Sequence, residues 1–75
     1  MSWNVLKHMS VDDRKVLLEQ GLHVGPYGAI EYRGLTISIH QWPGMPTYYL
    51  VGHTDEQIYS LREAVKIVDA VRGDY

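Results

Sequence analysis

An α+β domain is predicted, in which a three-stranded antiparallel sheet carries a carboxy-terminal helix on one face and a short amino-terminal helix at its flank, in the order α-β-β-β-α. Three observations predict it. Ala29 to His40 alternates apolar and polar residues about a central Arg33-Gly34 pair, Leu61 to Val71 repeats apolar residues at three- and four-residue steps, and Ser10 and Gly21 bracket a helix-like run. The first pattern is the period of a half-buried strand and the second that of an amphipathic helix. A chain of 75 residues has surface enough to bury one core, so residues 1–75 form one small domain.

Residues 1–9 show neither period and are expected to add an edge strand or to fray. A helix over Val11 to Gln20 follows, within a 10–21 unit, because the Ser10 hydroxyl can accept a first-turn amide, Asp12 and Asp13 sit at the positive end of the helix dipole, and Gly21 can close the helix in the left-handed conformation. Its apolar residues Val11, Val16, Leu17 and Leu18 make a modest inward stripe. Leu22-His23-Val24 leads into Gly25-Pro26-Tyr27-Gly28, a turn or break.

The sheet is expected over residues 29–52. A two-residue Arg33-Gly34 turn sets Tyr32 opposite Leu35 and Ile30 opposite Ile37, so Ile30, Tyr32, Leu35, Ile37 and Ile39 share the core face. Glu31, Thr36, Ser38 and His40 take the other. Gln41-Trp42-Pro43-Gly44-Met45-Pro46 is a loop, since its prolines forbid a central strand. Thr47 to Val51 reads as the third strand, with the inward tyrosine undetermined between Tyr48 and Tyr49.

Two capping patterns, Thr54-Asp55-Glu56-Gln57 and Ser60-Leu61-Arg62-Glu63, could open the last helix. Ser60 is preferred, because Leu61, Ala64, Val65, Val68 and Val71 then form a continuous stripe that covers the sheet over residues 60–73. Asp74 and Tyr75 are expected to fray.

From Tyr32 onward the residues Tyr32-Arg33-Gly34-Leu35-Thr36-Ile37, then Tyr48-Tyr49-Leu50-Val51, then Ser60-Leu61-Arg62-Glu63-Ala64-Val65-Lys66-Ile67-Val68-Asp69 carry a resemblance. They resemble small phage and prophage proteins built on a β-β-β-α unit, over about residues 30–70. Those shared residues are structural, and no catalytic motif comes with them. The resemblance implies an accessory protein of mobile-element origin that binds a host or anti-phage defence protein, acting in the host cytoplasm as an inhibitor.

Composition narrows the function classes. Hydrophobic residues at 45% and charged residues at 21% are ordinary globular usage, and a net charge of -2 disfavours a protein that binds by neutralising phosphates. Zero cysteines exclude disulfides, thiolate metal sites and a Cys nucleophile. No apolar run approaches a membrane span or a signal-peptide core, which points to the cytoplasm.

Candidate chemistry is sparse. His8, His23, His40 and His53 have no metal-ligand spacing, although His40 and His53 could approach one another at the sheet end. Ser2, Ser10, Ser38 and Ser60 lie in no nucleophile elbow, and the Asp12-Asp13 and Asp55-Glu56 pairs read as solvated charges at helix starts and turns. Gly25 and Gly28 precede a strand, not the helix a phosphate cradle needs. No catalytic residue, metal or cofactor is expected, and the chain reads as non-enzymatic.

The α-β-β-β-α order is also that of double-stranded RNA-binding domains, whose closing helix presents lysines to phosphates. The corresponding basic residues here are Arg62 and Lys66, with Arg33 at the hairpin and Arg72 at the helix end. They define the alternative reading, a small nucleic-acid-binding regulator. The aromatic inventory favours a protein partner: six Tyr, two Trp and no Phe suit interfacial positions with one wet end. Tyr27, Arg33, Trp42, Met45 and Tyr48 are the candidate contacts, provided Trp42 does not fold back over the sheet edge. Trp3 shares that ambiguity. An uncovered third-strand edge would in addition permit a homodimer.

Overall fold

A computed structural model describes residues 5–52 and 54–73 of the chain. The expectations for Trp3, for His53 beside His40, and for fraying of Asp74 and Tyr75 lie outside the described residues. The fold is α+β, with a 3-10 turn at Leu6–His8, helix α1 at Val11–Gln20, strands β1 at Ala29–Tyr32, β2 at Leu35–His40 and β3 at Tyr48–Val51, and helix α2 at Leu61–Arg72. The antiparallel sheet runs β1-β2-β3.

The hairpin register is the one that the alternation demands. Tyr32 pairs with Leu35 and Ile30 with Ile37, through a turn in which Arg33 and Gly34 have φ of 52° and 84°. Two positive φ values are the signature of a type I′ turn, whose twist matches that of the strands. Helix α1 is closed at both ends as its sequence suggests. The Asp13 amide donates to Ser10 Oγ at 3.1 Å, and Gly21 is left-handed, with the Leu22 amide reaching back to the Leu17 carbonyl at 2.8 Å.

The core lies between the sheet and the two helices. Ile30, Ile37, Tyr49, Leu61, Ala64 and Val68 are fully enclosed, with Val16 and Leu17 of α1 and Met9 beside them. Tyr49, not Tyr48, is the inward tyrosine.

Several expectations need correction. Val11 and Leu18 are exposed, because residues seven apart share a helix face, and in α1 that face lies opposite Asp13, Val16 and Leu17. Val71 is exposed at the margin of the α2 stripe. Residues 6–9 are neither strand nor frayed; they form the 3-10 turn and deliver Met9 to the core. Asp13 is not solvated but 4% exposed. Ser60 precedes α2 in extended conformation, yet its side chain caps nothing.

The sheet edges also differ from expectation. Val24 bridges Ile30 on the outer side of β1, and Ile58 bridges Tyr49 on the outer side of β3, the latter by amide-carbonyl bonds of 2.6 and 3.0 Å. The centre of β3 is therefore already paired by Ile58, which removes the open edge that a self-paired homodimer would need.

Candidate interaction surface

The five candidate contact residues fall at two opposite ends of the sheet. Tyr27, Trp42, Met45 and Tyr48 gather where β2 ends and β3 begins, whereas Arg33 sits in the β1-β2 turn at the far end. The Ile39 amide donates to the Gly28 carbonyl at 2.8 Å, which brings the turn holding Tyr27 alongside the end of β2. Tyr27 itself is 94% exposed.

Trp42-Pro43-Gly44-Met45 is a β-turn closed by the Met45 amide on the Trp42 carbonyl at 3.0 Å. Proline at the second position and a glycine at φ 77° in the third are what a type II turn requires. Both flanks of the loop are tied to the amino-terminal segment: Gln41 Nε2 donates to the Val5 carbonyl at 3.0 Å and Thr47 Oγ1 to the His8 carbonyl at 3.3 Å. Trp42 does not fold back over the sheet edge. It is 58% exposed and Met45 57%, and both border a concavity of about 390 Å³ between the loop and His8.

Tyr48 lies on the sheet face away from the core. Its ring stacks on His40 with centroids 5.0 Å apart and planes within 7°, and the Tyr59 ring meets it edge-on at 6.2 Å. The Tyr49-Ile58 bridge creates this row by setting Tyr59 across from Tyr48. His40 Nε2 is enclosed without a hydrogen-bond partner among the described residues. None of Ala29, Glu31, Thr36, Ser38, His40, Tyr48 and Leu50 on this face is buried, so both helices pack on the other side.

The cations expected to serve a nucleic acid are largely committed within the fold. Arg33 Nη1 donates to Asp69 Oδ1 at 3.0 Å and Nη2 to the Arg72 carbonyl at 3.4 Å, while the Tyr32 hydroxyl donates to the same Asp69 oxygen at 2.8 Å. Arg62 spans the two helices, donating to both Asp12 oxygens and to Glu19 Oε1. The Arg72 guanidinium lies against the hairpin at Gly34. Lys66 alone of the four is exposed with no such contact among the described residues.

Neither Asp13 nor Asp69 carries any motif. Asp13 accepts the Tyr49 hydroxyl at 2.6 Å on Oδ2 and the Leu61 amide at 3.0 Å on Oδ1. It thus caps α2 from another helix, in place of Ser60. The available signal was spacing: Asp13 stands three and four residues before Val16 and Leu17, on the inward face.

These contacts predict a pH dependence with two limbs. The Tyr32 hydroxyl first, and Arg33 second, hold the Asp69 carboxyl below its ordinary 3.8, and Arg62 does the same for Asp12. A carboxyl lowered by folding adds stability above its unfolded value and loses it as pH falls through the folded one. Asp69 raises the Tyr32 hydroxyl above its ordinary 10.0; burial, then Asp13, raises Tyr49 further. A raised phenol adds stability below its unfolded value and loses it as pH rises beyond. Urea-unfolding stability should therefore be flat from about pH 5 to about pH 9 and fall on either side. The Asp12→Asn, Asp69→Asn pair should flatten the acid limb; an acid limb identical to that of the parent chain would contradict the assignment.

Among the described residues no three His, Asp or Glu side chains converge on a metal-sized site, and no helix is long and apolar enough to cross a membrane. No protein-family model, curated protein or solved structure matches the chain.

Proposed function

We propose that this chain is a non-enzymatic accessory protein, of the phage or prophage kind its second half resembles, that acts by binding a host or defence-system protein through the Trp42-Met45 turn. The observation that carries the reading is a conformationally fixed loop holding two large apolar side chains more than half exposed. A small monomer gains nothing from such exposure, and interface anchors are enriched in Trp, Tyr and Met. Because the turn is closed by its own hydrogen bond and fastened at Gln41 and Thr47, little ordering entropy is lost on binding. Tyr27, Tyr48 and Tyr59 extend the same end of the molecule.

The nucleic-acid alternative is weakened by the same geometry. Arg33 and Arg62 are held by Asp69, Asp12 and Glu19, and the aromatic row has Glu31, not a basic groove, on its face. The deciding experiment is capture from host lysate by the parent chain and by Trp42→Ala. That substitution removes an exposed ring, so the fold should be unchanged within about 0.5 kcal/mol, while the captured partner should fall by roughly thirtyfold, the effect of losing a ~2 kcal/mol anchor. Undiminished capture would remove the turn from the interface, and tight, salt-steep binding to DNA or RNA in a gel shift would replace the reading with its alternative.

A further inference from the structure

Helix α1 presents a second surface that the Trp42 turn does not use. Its outward face carries Val11 and Leu18 with Arg14 and Lys15 between them, and Leu18 is 84% exposed. Beside it lies a groove of about 410 Å³, bounded by α1, the 3-10 turn and the chain leaving Gly21. Leu6, Leu18, Leu22 and Val24 supply apolar wall, and the polar side chains on it, among the described residues, are Arg14 and His23. That volume sits at the low end of ligand-holding clefts, roughly 300 to 1,000 Å³, so the groove takes a few side chains and not a whole domain.

We propose that this groove docks an acidic amphipathic helical segment of a partner protein, its apolar residues entering beside Leu18 and Leu22 and its carboxylates meeting Arg14 and His23. Charge selects the partner. Arg33 and Arg62 are bonded to carboxylates of the fold, whereas the Arg14 guanidinium has no hydrogen bond or ion pair among the described residues, and Lys15 beside it is exposed. A guanidinium left unpaired at the mouth of an apolar groove favours a carboxylate there. Val24 already occupies the outer side of Ile30, which disfavours extension of the sheet by a partner strand here, and of the modes that remain a helix presents apolar and acidic side chains at the spacing of a short groove.

The test is a titration of the isotope-labelled full chain with a synthetic helical peptide of about 16 residues, with Leu at three- and four-residue steps and Glu elsewhere, and with its Lys counterpart. Saturable amide shifts are expected at Leu6, Arg14, Leu18, Leu22 and Val24, with affinity for the Glu peptide about tenfold higher. Arg14→Glu should invert that preference, and Leu18→Ser should abolish both; each alters an exposed side chain, and the unligated spectrum verifies that the fold persists. Trp42→Ala should leave the titration unchanged, which separates this site from the turn. Equal affinity for the two peptides, absence of saturable shifts, shifts centred on Trp42, or binding to phosphatidylserine vesicles in place of the peptide would overturn the proposal. So would dimerisation of the chain through the groove, or contacts from the Trp3 ring to Leu18 in the free protein.

Discussion

Asp13→Ala should lower folding stability by about 3 to 4 kcal/mol. The carboxylate accepts the Tyr49 hydroxyl and the Leu61 amide inside the core, and each donor left unsatisfied there costs about 1 to 3 kcal/mol. The Leu61 amide is also the first of α2, so the same substitution removes a negative charge from the positive end of that helix, worth roughly 0.5 to 1 kcal/mol more. A chain of 75 residues has about 4 to 11 kcal/mol of stability in all, at roughly 0.05 to 0.15 per residue, so the loss approaches the whole of it at the lower bound. Asp13→Asn retains one acceptor and should lose about half as much. Urea unfolding of Asp13→Ala, Tyr49→Phe and the double variant measures the coupling: Tyr49→Phe removes the donor along with its need, so the double variant should be more stable than the sum of the two losses by about 1 kcal/mol or more. Additive losses, or an Asp13→Ala loss under about 1 kcal/mol, would show that Asp13 does not join the three elements.

Why Asp13 escapes a reading of the sequence, while the hairpin does not, is a matter of range. The Arg33-Gly34 turn and the alternation around it are written in neighbouring residues, and a one-residue slip would turn Ile30 and Ile37 out of the core, so register and turn type specify each other. The caps of α1 are likewise local: Ser10 and Gly21 act on amides and carbonyls within one turn. The start of α2 is different. Ser60-Leu61-Arg62-Glu63 has the spacing of a reciprocal cap, but the packing of α1 against α2 brings a stronger acceptor, and the buried carboxylate takes the amide that local pattern assigns elsewhere. The bridges at Val24 and Ile58 leave no period to detect, since each consists of a single residue pair.

The exposure of the candidate side chains is legible in the sequence to a similar degree. Trp42 and Met45 stand out because a Pro-Gly turn between them fixes both, and Tyr27 because a turn carries it away from the sheet. Tyr59 did not, since its place beside Tyr48 depends on the Ile58 bridge. Arg33 belongs with Asp69 and not with Trp42, although sequence alone places it at an exposed hairpin tip. The pairing crosses 36 positions, and at that separation only the packing of α2 on the sheet determines which cation meets which carboxylate.

That packing can be tested at its centre. Ile37→Ala is expected to cost about 3 to 4 kcal/mol and Ile37→Val about 1. Ile37 is fully enclosed, pairs with Ile30 on one side and Val51 on the other, and belongs to the cluster that includes Leu61 and Val68. A middle strand hydrogen-bonded on both sides cannot shift to fill a void, so the lost methyl groups add a cavity penalty to the transfer term. For a domain of this size each 1 kcal/mol lowers Tm by roughly 4 to 8 °C, so Ile37→Ala should depress it by about 12 °C or more and Ile37→Val by about 5 °C. Equal shifts for the two variants would mean that the site collapses and that the face against α2 is not packed as described. Set beside Trp42→Ala, the pair also separates core from surface: the isoleucine variants should lose partner binding only in proportion to the unfolded fraction, whereas Trp42→Ala should lose it with Tm unchanged. A partner signal that tracked Tm across all three would place the recognition energy in fold stability and not in the exposed turn.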